Sequence, residues 1–282
     1  MHYTRDELIA AIRAVGIRAG DVVSLQVSLG RLGMPHGVAA NYAALSNFVI
    51  DCFLHVVGPD GTLIVPTYTY SIGRGEVFEV ETTPSAIGEF PDIFRTRPSA
   101  IRSRDPMLSN AGIGPAAREI LRDISRSCYG EKSVFHNLRL AGAKICCVGI
   151  SLYWSTFRHH IEEQAAVPFR FVKTFTGIVR ENNSDSEELW SYFAAPRIAN
   201  CEPYGLPLER KAREARLVKV ANVGRGEIMV IDAQAFFEFG CQALATDPWL
   251  TAKGPPAPPE IIFRDEPQYW QRSGRAWALR AQ

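Results

Sequence analysis

No stretch of this sequence is apolar for the length that a bilayer crossing needs. No CxxC pair occurs. The six cysteines (Cys52, Cys128, Cys146, Cys147, Cys201 and Cys241) follow no framework spacing, which argues against a thiolate zinc site and a disulfide scaffold. They read as buried thiols of a protein in a reducing cytoplasm. An excess of one charge is missing too: 31 Lys and Arg stand against 30 Asp and Glu, a formal net charge of +1, and no long basic run breaks that balance. Neither nucleic acid nor a membrane is therefore expected as a partner. The sequence has no GxGxxG, P-loop or HExxH pattern and no internal repeat. Its first residues lack a continuous apolar core and read as an amphipathic helix, not a signal peptide.

What is present is an α/β pattern. With 46% hydrophobic residues, 282 residues can bury a sizeable core. Thr4 and Glu7 have the spacing of a capping box opening a helix over 5–15. Strand Val22–Val27, a Gly-containing loop over 28–37, a helix over 39–57, the GPDG turn and strand Thr62–Pro66 make a βαβ unit. Residues 72–83 read as an irregular loop or hairpin, and 95–114 as a long loop or short strands. Short helices are expected over 84–94, 115–123 and 132–140, and a buried strand over 143–149. Further on, 174–180 and 187–193 predict antiparallel strands around ENNSDS. A charged helix (206–216), two strands (218–222 and 227–232) and an amphipathic helix (233–245) follow. The expected fold class is α/β: a layered αβα arrangement with a central mixed sheet, plus a smaller antiparallel β-containing part in the C-terminal half. The whole chain, 1–282, is expected to be one domain, with a core over 1–173, a C-terminal α/β part over 174–247 and an extended Pro-rich tail over 248–282.

The stretch 151–173, SLYWSTFRHHIEEQAAVPFRFVK, follows the apolar run KICCVGI. Within it Thr156, His159 and Glu162 recur every three residues, so a helix sets them on one face. A base beside a carboxylate, just past a strand end, is what a catalytic dyad needs. The same spacing fits a surface histidine with an i,i+3 partner worth about 0.2–0.5 kcal/mol. HHIEE also offers donors to zinc, without an obvious third ligand. The loop 28–37 lies beyond a strand end and before a helix, where α/β sheets bind ligands and phosphate is favoured; an ordinary connection explains it equally well. Arg95, Arg97, Arg102 and Arg104 fit an anion clamp or a solvated loop.

Six segments, VSLGRLG, GTLIVPTYTY, TPSAIGEFPDIFR, RSRDPMLS, EKSVFHNLRLAGAKICCVG and TFRHHIEE, occur in this order over residues 21–173. Together they resemble the aminoglycoside 3-N-acetyltransferase family, with a looser extension through VKVANVGRGEIMVID to residue 232. The resemblance implies an N-acyltransferase that moves an acetyl or other short acyl group from acetyl-CoA or another acyl-CoA co-substrate to an amino-sugar amine, without a metal. On that basis His159 is the expected base, Glu162 its orienting carboxylate and Thr156 a contact to the acyl group. Ser28, Leu29 and Gly33 are expected to face CoA, with Arg102, Ser103 and Ser109 flanking it. Tyr68, Asp105, Arg170 and Lys173 are expected at the acceptor.

A neutral histidine can relieve an amine of its proton, and a neighbouring carboxylate fixes its tautomer. Asp105 stands where the family usually has His, which opens the acceptor's identity. Arg158, Arg170 and Lys173 favour an anionic acceptor, such as a nucleotide-linked amino sugar, over a polycationic antibiotic. The alternatives are an aminoglycoside acceptor, a hydrolase using the same pair on water, a metal-dependent enzyme around His159 and His160, and a non-catalytic sugar- or nucleotide-binding protein. A cytoplasmic monomer or homodimer acting on a small molecule is expected.

Overall fold

The strand Lys144–Val148 explains the layering. Ile145 and Cys147 join the core on one side of the sheet, Cys146 and Val148 the core on the other, and all four are buried. Side chains alternate along a strand, so a strand that is apolar throughout needs cover on both faces. The structure is a computed structural model; it describes residues 2–262 and the backbone of Trp270–Ser273 and Ala276–Leu279.

The main strands are β1 (Val22–Val27), β2 (Thr62–Pro66), β3 (Ile101–Arg102), β4 (Asn110–Ile113), β5 (Lys144–Val148), β6 (Phe171–Glu181), β7 (Ser184–Ala194), β8 (Lys219–Val223) and β9 (Gly226–Asp232). Seven of them form the central sheet, in the order β8-β9-β5-β1-β2-β4-β3. Its middle is parallel, with β1 between β5 and β2. Its flanks are antiparallel, β9 against β5 and β4 against β2. The sheet is therefore mixed, as expected, and β8 and β9 belong to it although they come late in the chain. Helices α1 (Arg5–Ala14), α2 (Tyr42–Val57) and α3 (Glu89–Arg95) cover one face. The other carries α4 (Ala117–Arg122), α5 (Val134–Leu140), α6 (Phe157–Gln164), α7 (Leu206–Glu214) and α8 (Ala233–Thr246). None of these helices is long and apolar enough to cross a membrane.

Local chemistry sets the element ends. Thr4 and Glu7 form the capping box of α1. Helix α2 starts later than residue 39 because Asn41 caps it, accepting from the Ala44 N–H at 2.8 Å. β6 and β7 pair over eleven residues each, further than expected. Their turn is only Asn182-Asn183, at φ 52° and 60°, a left-handed pair that asparagine tolerates and that suits a two-residue hairpin. The hairpin packs its base, Phe171, Trp190 and Phe193, against the helical layer.

The expectation of an extended tail meets two strands and one helical turn. Pro259–Ile262 is a helical turn, and Ala276–Leu279 pairs in parallel with β6 and antiparallel with Trp270–Ser273. The parts of that expectation falling on residues 263–269, 274, 275 and 280–282 lie outside the described residues.

Gly149 closes β5 at φ 63°, and a Cβ there would lie 2.6 Å from the Ser28 carbonyl. The two segments approach this closely where the Ser28 N–H donates to the Val148 carbonyl at 2.9 Å and joins the carboxyl ends of β1 and β5. Gly149→Ala is expected to lower the unfolding free energy by at least about 1–3 kcal/mol, the cost of a strained left-handed backbone, as read from urea denaturation.

Candidate active site

The carboxyl ends of the parallel strands open onto a cavity of about 410 Å³. β1 contributes Leu25, Gln26 and Val27; β2 and the loop after it contribute Val65, Pro66, Tyr68 and Tyr70. The segment after β5 brings Tyr153, Trp154, Thr156, Arg158 and His159. This is the crevice where open α/β sheets bind ligands.

The stretch after β5 is not one helix. Leu152–Trp154 forms a 3-10 turn and α6 starts at Phe157, with Thr156 at its N-cap. One helical turn then sets His159 Nδ1 2.6 Å from Glu162 Oε2. Glu162 is fully buried. Arg158 Nη1 bonds to its Oε1, and Arg170 Nε lies 2.8 Å from Oε2 as an ion pair. Burial alone would raise the Glu162 pKa, but Arg158, Arg170 and His159 outweigh it and hold the carboxyl well below the usual range. An ionised carboxylate only accepts hydrogen bonds. The ring hydrogen is therefore assigned to Nδ1, which leaves the Nε2 lone pair for the cavity that His159 lines. Burial, then Arg170 and Arg158, lower the His159 pKa to about 3, with Glu162 opposing them in part. The ring is a neutral, weak base.

His160 faces the other way. It is buried, with Nδ1 2.6 Å from the Tyr129 carbonyl and its ring against Phe157 and Phe237.

The remaining expected residues divide. Tyr68 lines the cavity with Thr156 and His159. Arg170 does not line it and acts on Glu162 from behind, donating Nη1 to the Phe193 carbonyl at 3.0 Å. Lys173 sits over the Phe175 ring, 4.9 Å from its centroid. Leu29 and Gly33 line a second cavity of about 270 Å³ with Gly30 and Arg225, adjoining the first at Tyr42. Ser28 lines neither cavity; its N–H donates to the Val148 carbonyl at 2.9 Å.

Arg102, Ser103, Asp105 and Ser109 are all buried and line neither cavity. Arg102 donates to the carbonyls of Thr67 (2.8 Å) and Thr83 (2.6 Å). Ser109 Oγ donates to the Thr67 carbonyl at 2.7 Å, and Ser103 Oγ accepts from the Asn110 N–H. Asp105 Oδ1 accepts from the Met107 and Leu108 N–H groups, both at 2.8 Å. Burial nevertheless pushes its carboxyl up to about 6. In this structure the RSRDPMLS segment is a clasp on the loop after β2.

Sequence reasoning passed over Gln26, Tyr42, Tyr70 and Trp154 on the cavity wall. Gln26 carried a readable signal: it is a polar residue at the end of the apolar strand VVSLQV, and its Nε2 donates to Ser155 Oγ at 3.3 Å. The others are aromatics just past strand ends or at a helix start. Arg158 was read only as part of a basic stretch, and its place between the cavity and Glu162 needed the fold. Among the described residues, no three His, Cys, Asp or Glu side chains group as metal ligands.

A family model described as aminoglycoside 3-N-acetyltransferase matches residues 26–245. Among curated relatives, aminoglycoside N(3)-acetyltransferase VIII of Streptomyces fradiae is 27% identical over 222 residues, 72% of this chain and 74% of the relative. Aminoglycoside N(3)-acetyltransferase VII of Streptomyces paromomycinus is 26% identical over 266 residues, 84% of this chain and 90% of the relative. Solved structures with the same fold include aminoglycoside acetyltransferase AAC(3)-Xa, with TM-score 0.75, 23% identity and coverage of 86% of this chain and 93% of that one. AAC-IIIb in a binary complex with CoASH has TM-score 0.76 and 21% identity, over 91% and 100% of the two chains. At these identities the structural likeness speaks for the fold alone.

His159 is expected to stay neutral at pH 5, with its hydrogen on Nδ1, in imidazole ¹⁵N spectra. Stability provides a second readout. Below pH 6.5 the unfolded chain protonates this ring and the folded chain does not until about pH 3, so its contribution falls as pH drops. Between pH 7 and 4 the stability difference between wild type and His159→Gln should move in the variant's favour by about 3 kcal/mol.

Proposed function

The chain belongs to the aminoglycoside 3-N-acetyltransferase family, and on that premise we propose that it transfers an acetyl group from acetyl-CoA to an amine of an amino sugar with His159 as the base. The observation that carries the proposal is the His159 ring, tied through Nδ1 to a buried Glu162, on the wall of the cavity. The low basicity of His159 refines its task. A ring whose pKa lies near 3 does not strip a proton from a free ammonium. It takes one from the amine as the C–N bond forms, when that nitrogen becomes strongly acidic. The arginines that depress His159 act on the acceptor in the same sense: a cation beside an amine lowers its pKa and favours the free nucleophile. Leu29, Gly33 and Arg225 on the adjoining cavity support the donor's entry along loop 28–33. Arg102, Ser103 and Ser109 serve the site indirectly, through the loop they hold.

The acceptor is proposed to be anionic, with a nucleotide-linked amino sugar as the reading the cavity favours. Among the described residues that line it, Arg158 is the charged side chain, and no carboxylate accompanies it. A polycation would gain little there. Arg158 is buried and paired with Glu162, and together with Arg170 behind it it leaves this end of the cavity with an excess of positive charge, which suits a phosphate or carboxylate. The second reading, an aminoglycoside acceptor, is favoured by the names of the relatives. Because His159, Glu162, Tyr68 and Arg158 all lie in one chain, a single copy suffices for the chemistry. The proposal treats 1–282 as one catalytic unit. It works in the cytoplasm, where acetyl-CoA is available and its six free thiols stay reduced.

A thiol-release assay with acetyl-CoA tests both parts. CoA release should require an amine and be faster with nucleotide-linked amino sugars than with aminoglycosides. Faster release with aminoglycosides would overturn the anionic assignment. Thiol release without any amine would point to a hydrolase. His159→Ala should lower kcat by about 10²–10⁴, the usual worth of a general base, while CoA affinity measured by calorimetry holds. Full activity in that variant would remove His159 from the mechanism.

A further inference from the structure

Tyr68 sits on the loop after β2 and is buried, yet lines the cavity. Its hydroxyl has no partner in hydrogen-bond geometry among the described residues. It is turned toward Thr156, close enough for the two hydroxyls to interact. Thr156 lies one helical turn before His159 on the same face of α6. A buried, unpaired donor is costly to keep, by about 1–3 kcal/mol, and so invites a functional explanation.

The surrounding structure gives that hydroxyl little freedom. The loop over residues 67–71 is zipped to the 103–109 segment by backbone bonds: Thr67 N–H to Ser109, Thr69 and Tyr70 N–H to Met107, and Ser71 N–H to Pro106. Arg102 and Ser109 hold the Thr67 carbonyl, and Thr69 Oγ1 donates to the Pro106 carbonyl at 2.9 Å. On the other side the Ala86 N–H donates to the Tyr68 carbonyl at 2.7 Å. Burial raises the phenol's pKa well above its ordinary value, so the hydroxyl keeps its proton.

We propose that the Tyr68 hydroxyl is the oxyanion donor of the transfer. The assignment rests on the acyl-transfer reading above. The amine lone pair attacks the thioester carbonyl carbon. As the C–N bond forms, the carbonyl π electrons move onto oxygen, where the Tyr68 O–H meets the growing negative charge. His159 Nε2 takes the proton from the nitrogen. The oxyanion then re-forms C=O, the C–S bond breaks, and the departing thiolate receives the proton from His159, leaving an amide and free CoA thiol. A donor held rigidly in place before reaction stabilises this charge with little reorganisation. The clasp thereby acquires a purpose: Arg102, Asp105 and Ser109 are positioning residues for Tyr68.

The test is Tyr68→Phe, which deletes only a hydroxyl whose neighbour within reach is that of Thr156. kcat should fall by about 10²–10³, as when one oxyanion donor is removed. The KM values and CoA affinity should stay within about threefold of wild type, because the lost interaction belongs to the transition state. The melting temperature should hold or rise. Incorporating 3-fluorotyrosine at position 68, which keeps the donor, should restore kcat. A kcat within threefold of wild type, or a raised KM at unchanged kcat, would overturn the assignment. If wild type itself releases no thiol with any amine, the transfer reading fails first and takes this assignment with it; the wild-type lane separates the two failures.

Discussion

One buried carboxylate organises this molecule. Glu162 is out of water and ionised, which is tolerable only because Arg158, Arg170 and His159 surround it. The three partners come from different places. Arg158 and His159 precede Glu162 on the same helix, while Arg170 arrives from the chain just before β6 and is anchored to the Phe193 carbonyl at the end of β7. The carboxylate therefore ties α6 to the base of the small hairpin. The same arrangement orients the imidazole and surrounds it with positive charge, so one ionic cluster does both structural and electrostatic service.

That cluster changes the meaning of the histidine. A His–Glu pair seen alone suggests a base strengthened by its carboxylate. Here burial first, and then the two guanidiniums, outweigh the carboxylate, and the ring is a weaker base than a free imidazole. In the proposed transfer, the ring would act less by pulling a proton from the resting amine than by catching it during bond formation. A donor for the opposite charge, on the carbonyl oxygen, becomes correspondingly important. On the proposed assignment, Glu162 and the β2 loop would address the two charges of one transition state from separate elements.

Local order was legible in the sequence wherever short-range physics decides it. β1 and β2 end where their apolar runs end, at Val27 and Pro66. The three-residue spacing of Thr156, His159 and Glu162 did put imidazole and carboxylate in contact, while His160 turns to the Tyr129 carbonyl. Strand partners were not legible, because pairing is non-local: nothing within residues 218–232 announces that β9 joins the central sheet beside β5. The arginine-rich loop stayed open between two readings for a related reason. An anion clamp and a buried structural arginine look alike in sequence, and only the carbonyls around Arg102 distinguish them. Arg158 was hidden in the same way, since its meaning lies in a cavity assembled from three strands.

The anchoring of Arg170 at Phe193 also bears on how the chain reaches its working form. Glu162 and Arg170 are near in sequence, but Arg170 is held where it must be only once β7 has returned alongside β6, twenty-three residues later. Contacts that close long loops form late, after the entropy of closure has been met. A chain with its helices formed and its hairpin undocked would carry His159 and Glu162 without the second guanidinium. The complete ionic cluster would then appear after most of the secondary structure, as one of the last events of folding.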